Sequence, residues 1–189
     1  MKPMRRWLLG VCLSMAAAMA VVAGALDGEL AIDSADAGFN NGVVELNAQL
    51  TYPLTEQIRA ALQDGVTLTF ELEVIISRPR RFWWDADVVT LDLRRDLSYH
   101  VISERYLLRG PTGAEQESFP TLTAALDALG HVERLPVAVE AQMRGEGPWD
   151  IALRAGVRRG HIPDALRTLL FWRDDWHRTS EWHTWTLER

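Results

Sequence analysis

Strict alternation of apolar and polar side chains from Leu68 to Ile76 limits the fold more than any other feature of the chain. Leu68, Phe70, Leu72, Val74 and Ile76 fall on one face; Thr67, Thr69, Glu71 and Glu73 fall on the other. Successive side chains of a strand point to opposite faces, so this run predicts a half-buried strand with one wet face. Pro79 has no N–H to give a ladder and predicts a break or an edge. The chain then resumes from Arg80 to Leu93, with Val89, Leu91 and Leu93 on one face. Arg94-Arg95-Asp96 reads as a polar turn. A third run, Leu97 to Leu108, places Tyr99, Val101 and Leu107 on one side and Ile102, Tyr106 and Leu108 on the other. Gly110-Pro-Thr-Gly113 ends it as a loop. Three consecutive strands with short turns predict an antiparallel meander.

The flanking segments extend this pattern. Glu29–Asp33 is a weak strand, Gly38–Gly42 a turn containing Asn-Gly, and Val43–Tyr52 an alternating run, which together predict a hairpin. From Pro53 to Gln63 the period becomes helical through Leu54, Ile58, Ala61 and Leu62, and Asp64-Gly65 stops it. A helix there allows the strands on either side to lie parallel or in different sheets. Ser118-Phe-Pro-Thr121 starts a second helix with Thr121 as N-cap, a stripe of Leu122, Ala125, Leu126 and Leu129, and Gly130 as its stop. Leu135–Met143 alternates through Val137, Val139, Ala141 and Met143; Gly145–Pro148 is a turn; Ile151–Val157 alternates again. Pro163–Trp172 reads as a third short helix and Trp182–Leu187 as a last strand. The expected fold is mainly β: an antiparallel β-sandwich of about seven or eight strands, with two or three short helices plugging its open ends.

Residues 1–25 have the form of a signal peptide: Lys2, Arg5 and Arg6, an apolar run from Trp7 to Val22, then Ala23-Gly24-Ala25 as the cleavage motif. The alternative is an uncleaved anchor, since Trp7–Ala25 is 19 residues, long enough to span a bilayer. Cleavage after Ala25 leaves one domain, residues 26–189. Cys12 is the only cysteine and leaves with the leader, so disulfides and thiolate chemistry are excluded from the mature domain. Without the leader's three cations, the 20 basic residues become 17 against 26 acidic ones, a net charge of −9. Such an acidic protein is a poor partner for nucleic acid or anionic lipid, and membrane association is expected only if the leader is retained. All basic residues after Arg6 are arginines, which suit stacking and bidentate carboxylate contacts.

The foremost candidate site is Arg78–Asp85. Arg80, Phe82 and Trp84 share one strand face, and Arg81, Trp83 and Asp85 the other, with Arg78 at the entrance. Such a cluster is either a core tryptophan covered by stacked arginines or a recognition patch, because Trp and Arg dominate interface hot spots. Trp83 and Trp84 cannot share one environment, and Trp84, beside Phe82, is the expected core residue. His177, Glu181 and His183 offer an incomplete metal shell: the first two would be helical neighbours, the third is out of phase, and no HExxH pattern exists. His100 and Glu104 share a strand face and have the chemistry of an acid–base pair, although alternation alone produces such pairs often. Ser98 and Ser103 flank His100 with no evident oxyanion loop; Asp174-Asp175 lacks the spacing of a calcium loop. No cofactor is expected.

Several segments together resemble the bacterial envelope family named domain of unknown function 4390. They are the leader, Leu50-Thr-Tyr-Pro-Leu54, Asp64-Gly-Val-Thr-Leu68, Arg81-Phe-Trp-Trp-Asp85, Leu97-Ser-Tyr-His100 running into Arg105-Tyr-Leu-Leu108, the helix in Phe119–Leu129, and Trp176…Ser180-Glu-Trp182…Trp185. The resemblance implies a Gram-negative periplasmic protein with a loose link to envelope signalling and carries no assigned activity. The expectation is a non-enzymatic exported domain that binds an envelope or signalling protein. Its alternative is a small-molecule or lipid carrier with the surplus tryptophans lining a pocket. An enzyme of unknown type comes third. The two leading readings differ in what they need: an exposed aromatic patch over a filled core, or a dry concavity.

Overall fold

The computed structural model describes residues 28–79, 86–143, 147–161 and 177–188. Among these, ten antiparallel strands form two sheets joined by one hydrophobic core, with two short α-helices. The small sheet holds β1 (Ala31–Asn40), β2 (Val43–Thr51) and β7 (His131–Val139), in the order β1-β2-β7. The large sheet runs β10-β8-β3-β4-β5-β6: β10 (His183–Leu187), β8 (Trp149–Arg159), β3 (Leu68–Arg78), β4 (Ala86–His100), β5 (Arg105–Arg109) and β6 (Gln116–Phe119). The two-residue β9 (Arg178–Thr179) also pairs with β8. No helix among the described residues is long and apolar enough to cross a membrane.

β3 is the central strand expected from its alternation. Leu68, Phe70, Val74 and Ile76 are buried, and Glu71 and Glu73 face out beside the arginines of neighbouring strands. β8 repeats the pattern, with Trp149, Ile151, Leu153, Ala155 and Val157 all buried. The small sheet supplies Val44, Leu46, Ala48 and Leu50 to the same core. Two edge-to-face aromatic pairs tie the sheets together. Phe39 meets Trp149 with ring centroids 5.7 Å apart, and Tyr52 meets Phe70 at 4.9 Å. Such pairs add about 0.5–1.5 kcal/mol beyond their burial.

The helices begin and end where local chemistry dictates. The Thr55 hydroxyl accepts from the Ile58 N–H and caps α1 (Glu56–Gln63), and the Thr121 hydroxyl accepts from Ala124 to cap α2 (Leu122–Gly130). α1 ends in a Schellman motif: Val66 N–H donates to the Ala61 carbonyl (2.9 Å) and Gly65 N–H to Leu62 (3.0 Å), with Gly65 at φ 92°. α1 carries the chain from the small sheet to the large one, so β2 and β3 lie in different sheets. α2 packs against β2 and β7 of one sheet and β5 and β6 of the other, closing one flank of the sandwich.

Several expectations are corrected. Arg94-Arg95-Asp96 is not a turn but the middle of β4, which pairs with β3 from Leu68↔Leu97 to Arg78↔Ala86. Cross-strand partners explain the polar run: Arg94 pairs with Glu71 at 3.2 Å, and the Thr69 hydroxyl donates to Asp96 at 2.7 Å. The turn falls instead at residues 101–104, so Leu97–Leu108 is two strands, and Tyr99 lies opposite Tyr106 with ring centroids 5.0 Å apart. β1 runs on through Gly38-Phe39-Asn40, leaving Asn41 and Gly42 as a two-residue turn with φ of 48° and 82°, the type I′ geometry. Ser118 and Phe119 belong to β6 rather than to α2. β7 begins at His131 and ends at Val139, with irregular pairing to β2. Val137 and Ala138 are therefore both buried, Val139 is exposed, and Ala141 lies in a 3₁₀ turn. Gly130 ends α2 through close packing, not a left-handed cap: a Cβ there would stand 2.2 Å from the Leu50 carbonyl oxygen. The helix expected at Pro163–Trp172 lies outside the described residues.

Candidate functional site

A three-stranded sheet cannot cover the whole inner face of a seven-stranded one. A cleft of about 400 Å³ opens between the layers, lined from both sheets. Its walls are apolar: Leu50 and Tyr52 from the β2 end, Phe70 and Leu72 from β3, and Leu93 from β4. Leu129 of α2 and Val132 and Leu135 of β7 form the opposite side. The loop between β5 and β6 contributes Pro111, Thr112 and Glu115.

Two polar groups stand out against these walls. Arg95 lies on the face of β4 that otherwise carries Leu91, Leu93, Leu97 and Tyr99. Its guanidinium reaches Glu117 of β6 at 3.3 Å, in a half-exposed pair. Tyr52 is buried. Burial pushes its phenol well above the ordinary value of about 10, and the nearby Arg95 charge pulls it back in part. The Tyr52 hydroxyl therefore stays protonated. Two carboxylates also border the cleft: His131 Nε2 contacts Glu133 at 2.8 Å, and Glu115 lies in the β5–β6 loop, whereas the Glu71 carboxylate is held on the outer face by Arg94 and Arg158.

Among the described residues, none of the candidates read from the sequence lines this cleft. Arg78 is the exposed last residue of β3. Arg80, Arg81, Phe82, Trp83, Trp84 and Asp85 lie outside the described residues, as do Asp174 and Asp175. Among the described tryptophans, Trp149 is core and Trp182 sits 38 % exposed beneath the Arg154 guanidinium, 4.3 Å from the ring centre. Trp185, half-buried on β10, stacks on His183 at 5.6 Å. None of these three lines the cleft, whose aromatic residues are Tyr52 and Phe70.

His177 and Glu181 are not helical neighbours, because Arg178–Thr179 is a strand. Both side chains are exposed, and among the described residues no group of three His, Cys, Asp or Glu is placed to hold a metal. Glu104 does not share a strand face with His100; it sits in the turn at φ 52°. His100 Nδ1 instead contacts the Ser103 hydroxyl at 2.8 Å and accepts from the Ser103 N–H at 3.3 Å, which makes it an exposed turn lock. The cleft is hard to read from the sequence because its sides come from five separate stretches of chain. Its one local signal was Arg95, in phase with an apolar strand face.

No curated protein and no solved structure shows significant similarity to the chain. A family model, domain of unknown function (DUF4390), matches residues 27–186, which is nearly all of the chain after its apolar N-terminal stretch. The chain therefore belongs to the DUF4390 family.

Proposed function

We propose that this is an exported binding domain, not an enzyme, and that the cleft between its sheets seats a small, largely apolar ligand. The cleft itself carries the reading. A concavity of about 400 Å³ with apolar walls and a few convergent polar groups is the usual form of a small-molecule site. Its polar groups suit binding: Tyr52 and Arg95 can donate hydrogen bonds or offset a charge, but they do not form a nucleophile–base pair. The leader-like start of the chain supports export.

The test uses a neutral fluorescent probe, N-phenyl-1-naphthylamine, which brightens in dry apolar sites. The mature protein is expected to enhance its emission, and Leu93→Trp, which fills the cleft, to remove most of that gain while the fold persists by circular dichroism. A wild-type protein that leaves the probe dark, or a filled variant that enhances it equally, would overturn the reading.

A second reading, binding of an envelope or signalling protein, is favoured by a separate observation. The β4–β5 hairpin ends in Val101 and Ile102, which are 65 % and 92 % exposed. Adjacent exposed apolar side chains at a hairpin tip form a small contact point for a protein surface. Capture of one defined envelope partner by the wild type and its loss in Ile102→Ser would support this reading; equal capture by both would remove the hairpin tip from it.

A further inference from the structure

Inward charge on an internal strand calls for a reason. Along the inner face of β4 the residues run Leu91, Leu93, Arg95, Leu97 and Tyr99, and Leu97 is fully buried. Inward charges often protect the edges of sheets. β4 is not an edge, because β3 and β5 pair with it on either side. Breaks in local pattern at such positions tend to mark functional sites. The Glu117 contact, at 3.3 Å, engages one of the guanidinium's five N–H donors. The Tyr52 phenol lines the same cleft, its ring edge-to-face with Phe70, the cross-strand partner of Arg95.

We propose that Arg95 and Tyr52 form a head-group site for a monocarboxylate, so that the ligand of the cleft is an apolar molecule ending in one carboxylate. The inference rests on the cleft being a ligand seat. A guanidinium presents paired N–H groups matched to the two oxygens of a carboxylate, and a phenol adds a third donor. Because burial keeps Tyr52 protonated, it donates to an anion. The apolar tail lies along Leu72, Leu93 and Leu129. Arg95 already meets Glu117, and Glu115 and Glu133 border the cleft, so a dianionic phosphate monoester meets more repulsion there than a carboxylate.

The test displaces N-phenyl-1-naphthylamine from the mature protein with dodecanoate, dodecanol, dodecylamine and dodecyl phosphate, all below their micellar concentrations. Dodecanoate is expected to displace the probe at a concentration at least tenfold below each of the others. The acid-to-alcohol ratio, read within each variant so that changes in probe affinity cancel, is expected to fall to about one in Arg95→Gln and severalfold in Tyr52→Phe. If the probe binds and acid and alcohol displace it equally, the carboxylate site is wrong and the apolar seat stands. If the amine or the phosphate wins, the assigned head group is wrong. If the probe never enters the wild type, the seat itself fails. Should Arg95→Gln not fold, the wild-type ranking and the Tyr52→Phe ratio decide the matter.

Discussion

Ser180 stands in for a strand partner of Ala155. Its hydroxyl accepts the Ala155 N–H at 3.0 Å, and its own N–H donates to the Ala155 carbonyl at 2.8 Å. This closes a gap in the edge of the large sheet. Thr179 pairs with Gly156 and His183 with Leu153, so three residues, 180–182, face two, 154–155. The extra residue makes a bulge, which lets Trp182 reach the Arg154 guanidinium.

Ser180→Ala is expected to destabilise the domain by about 1–3 kcal/mol, the usual cost of leaving a buried N–H unmet. Urea unfolding followed by circular dichroism measures it. A loss below a few tenths of a kcal/mol would show that water or another group satisfies Ala155.

At Gly130 two effects oppose each other. Alanine in place of a helical glycine gains up to about 1 kcal/mol from propensity. Here the new Cβ meets the Leu50 backbone oxygen at 2.2 Å, and overpacking typically costs about 1–3 kcal/mol. The clash involves backbone on both sides, so sterics are expected to prevail. Gly130→Ala should lower the melting temperature, and a rise would mean that α2 slides freely on β2.

Tyr52 predicts an alkaline limb. Its folded-state pKa lies above the unfolded value of about 10 because burial disfavours phenolate. The stability that follows from this shift is intact below about pH 10 and is lost as pH rises further, at about 1.4 kcal/mol per pH unit. Chemical denaturation between pH 9 and 11.5 should show this decline, and Tyr52→Phe should flatten it. Parallel limbs in the two proteins would assign the decline to other groups.

The outer face of the large sheet is expected to matter less. Arg154 holds Glu73 through Nε at 3.1 Å, and both side chains are roughly a third exposed. Pairs of that exposure are worth about 0.2–1 kcal/mol. Glu73→Gln should cost no more than that, and the difference should shrink in 1 M salt. A salt-independent loss of several kcal/mol would mark the pair as structurally dominant.

The fold was legible wherever one face of a strand meets the core. β3, β8 and the second half of the β1–β2 hairpin carry the alternation openly, and both helices show apolar stripes, α2 with its cap Thr121 as well, whereas α1 begins at Glu56 behind the Thr55 cap rather than at Pro53. β4 was hidden because Arg94 and Asp96 are satisfied by Glu71 and Thr69, more than 20 residues away in sequence, and local reading sees only three polar residues in a row. The true turn holds no glycine or proline, and it exposes Val101 and Ile102 where a turn is normally polar. Of the cleft, only Arg95 left a trace in the local pattern. The cleft arises because the small sheet is narrower than the large one, a property of strand count and pairing that no single segment contains.

β3 has a further consequence, for how the molecule opens. It is hydrogen-bonded to β8 from Leu68 to Ser77 and to β4 from Leu68 to Arg78, so its amides sit in ladders on both sides. In deuterated buffer those amides should exchange only when the whole domain unfolds, whereas two-residue β9 and edge strand β6 should exchange through local opening. β6 carries Glu117, the carboxylate that holds Arg95. One of the segments expected to open locally therefore lies beside the cleft, and a ligand of the kind proposed would enter there on the timescale of strand fraying while the β3–β8 ladder stays closed.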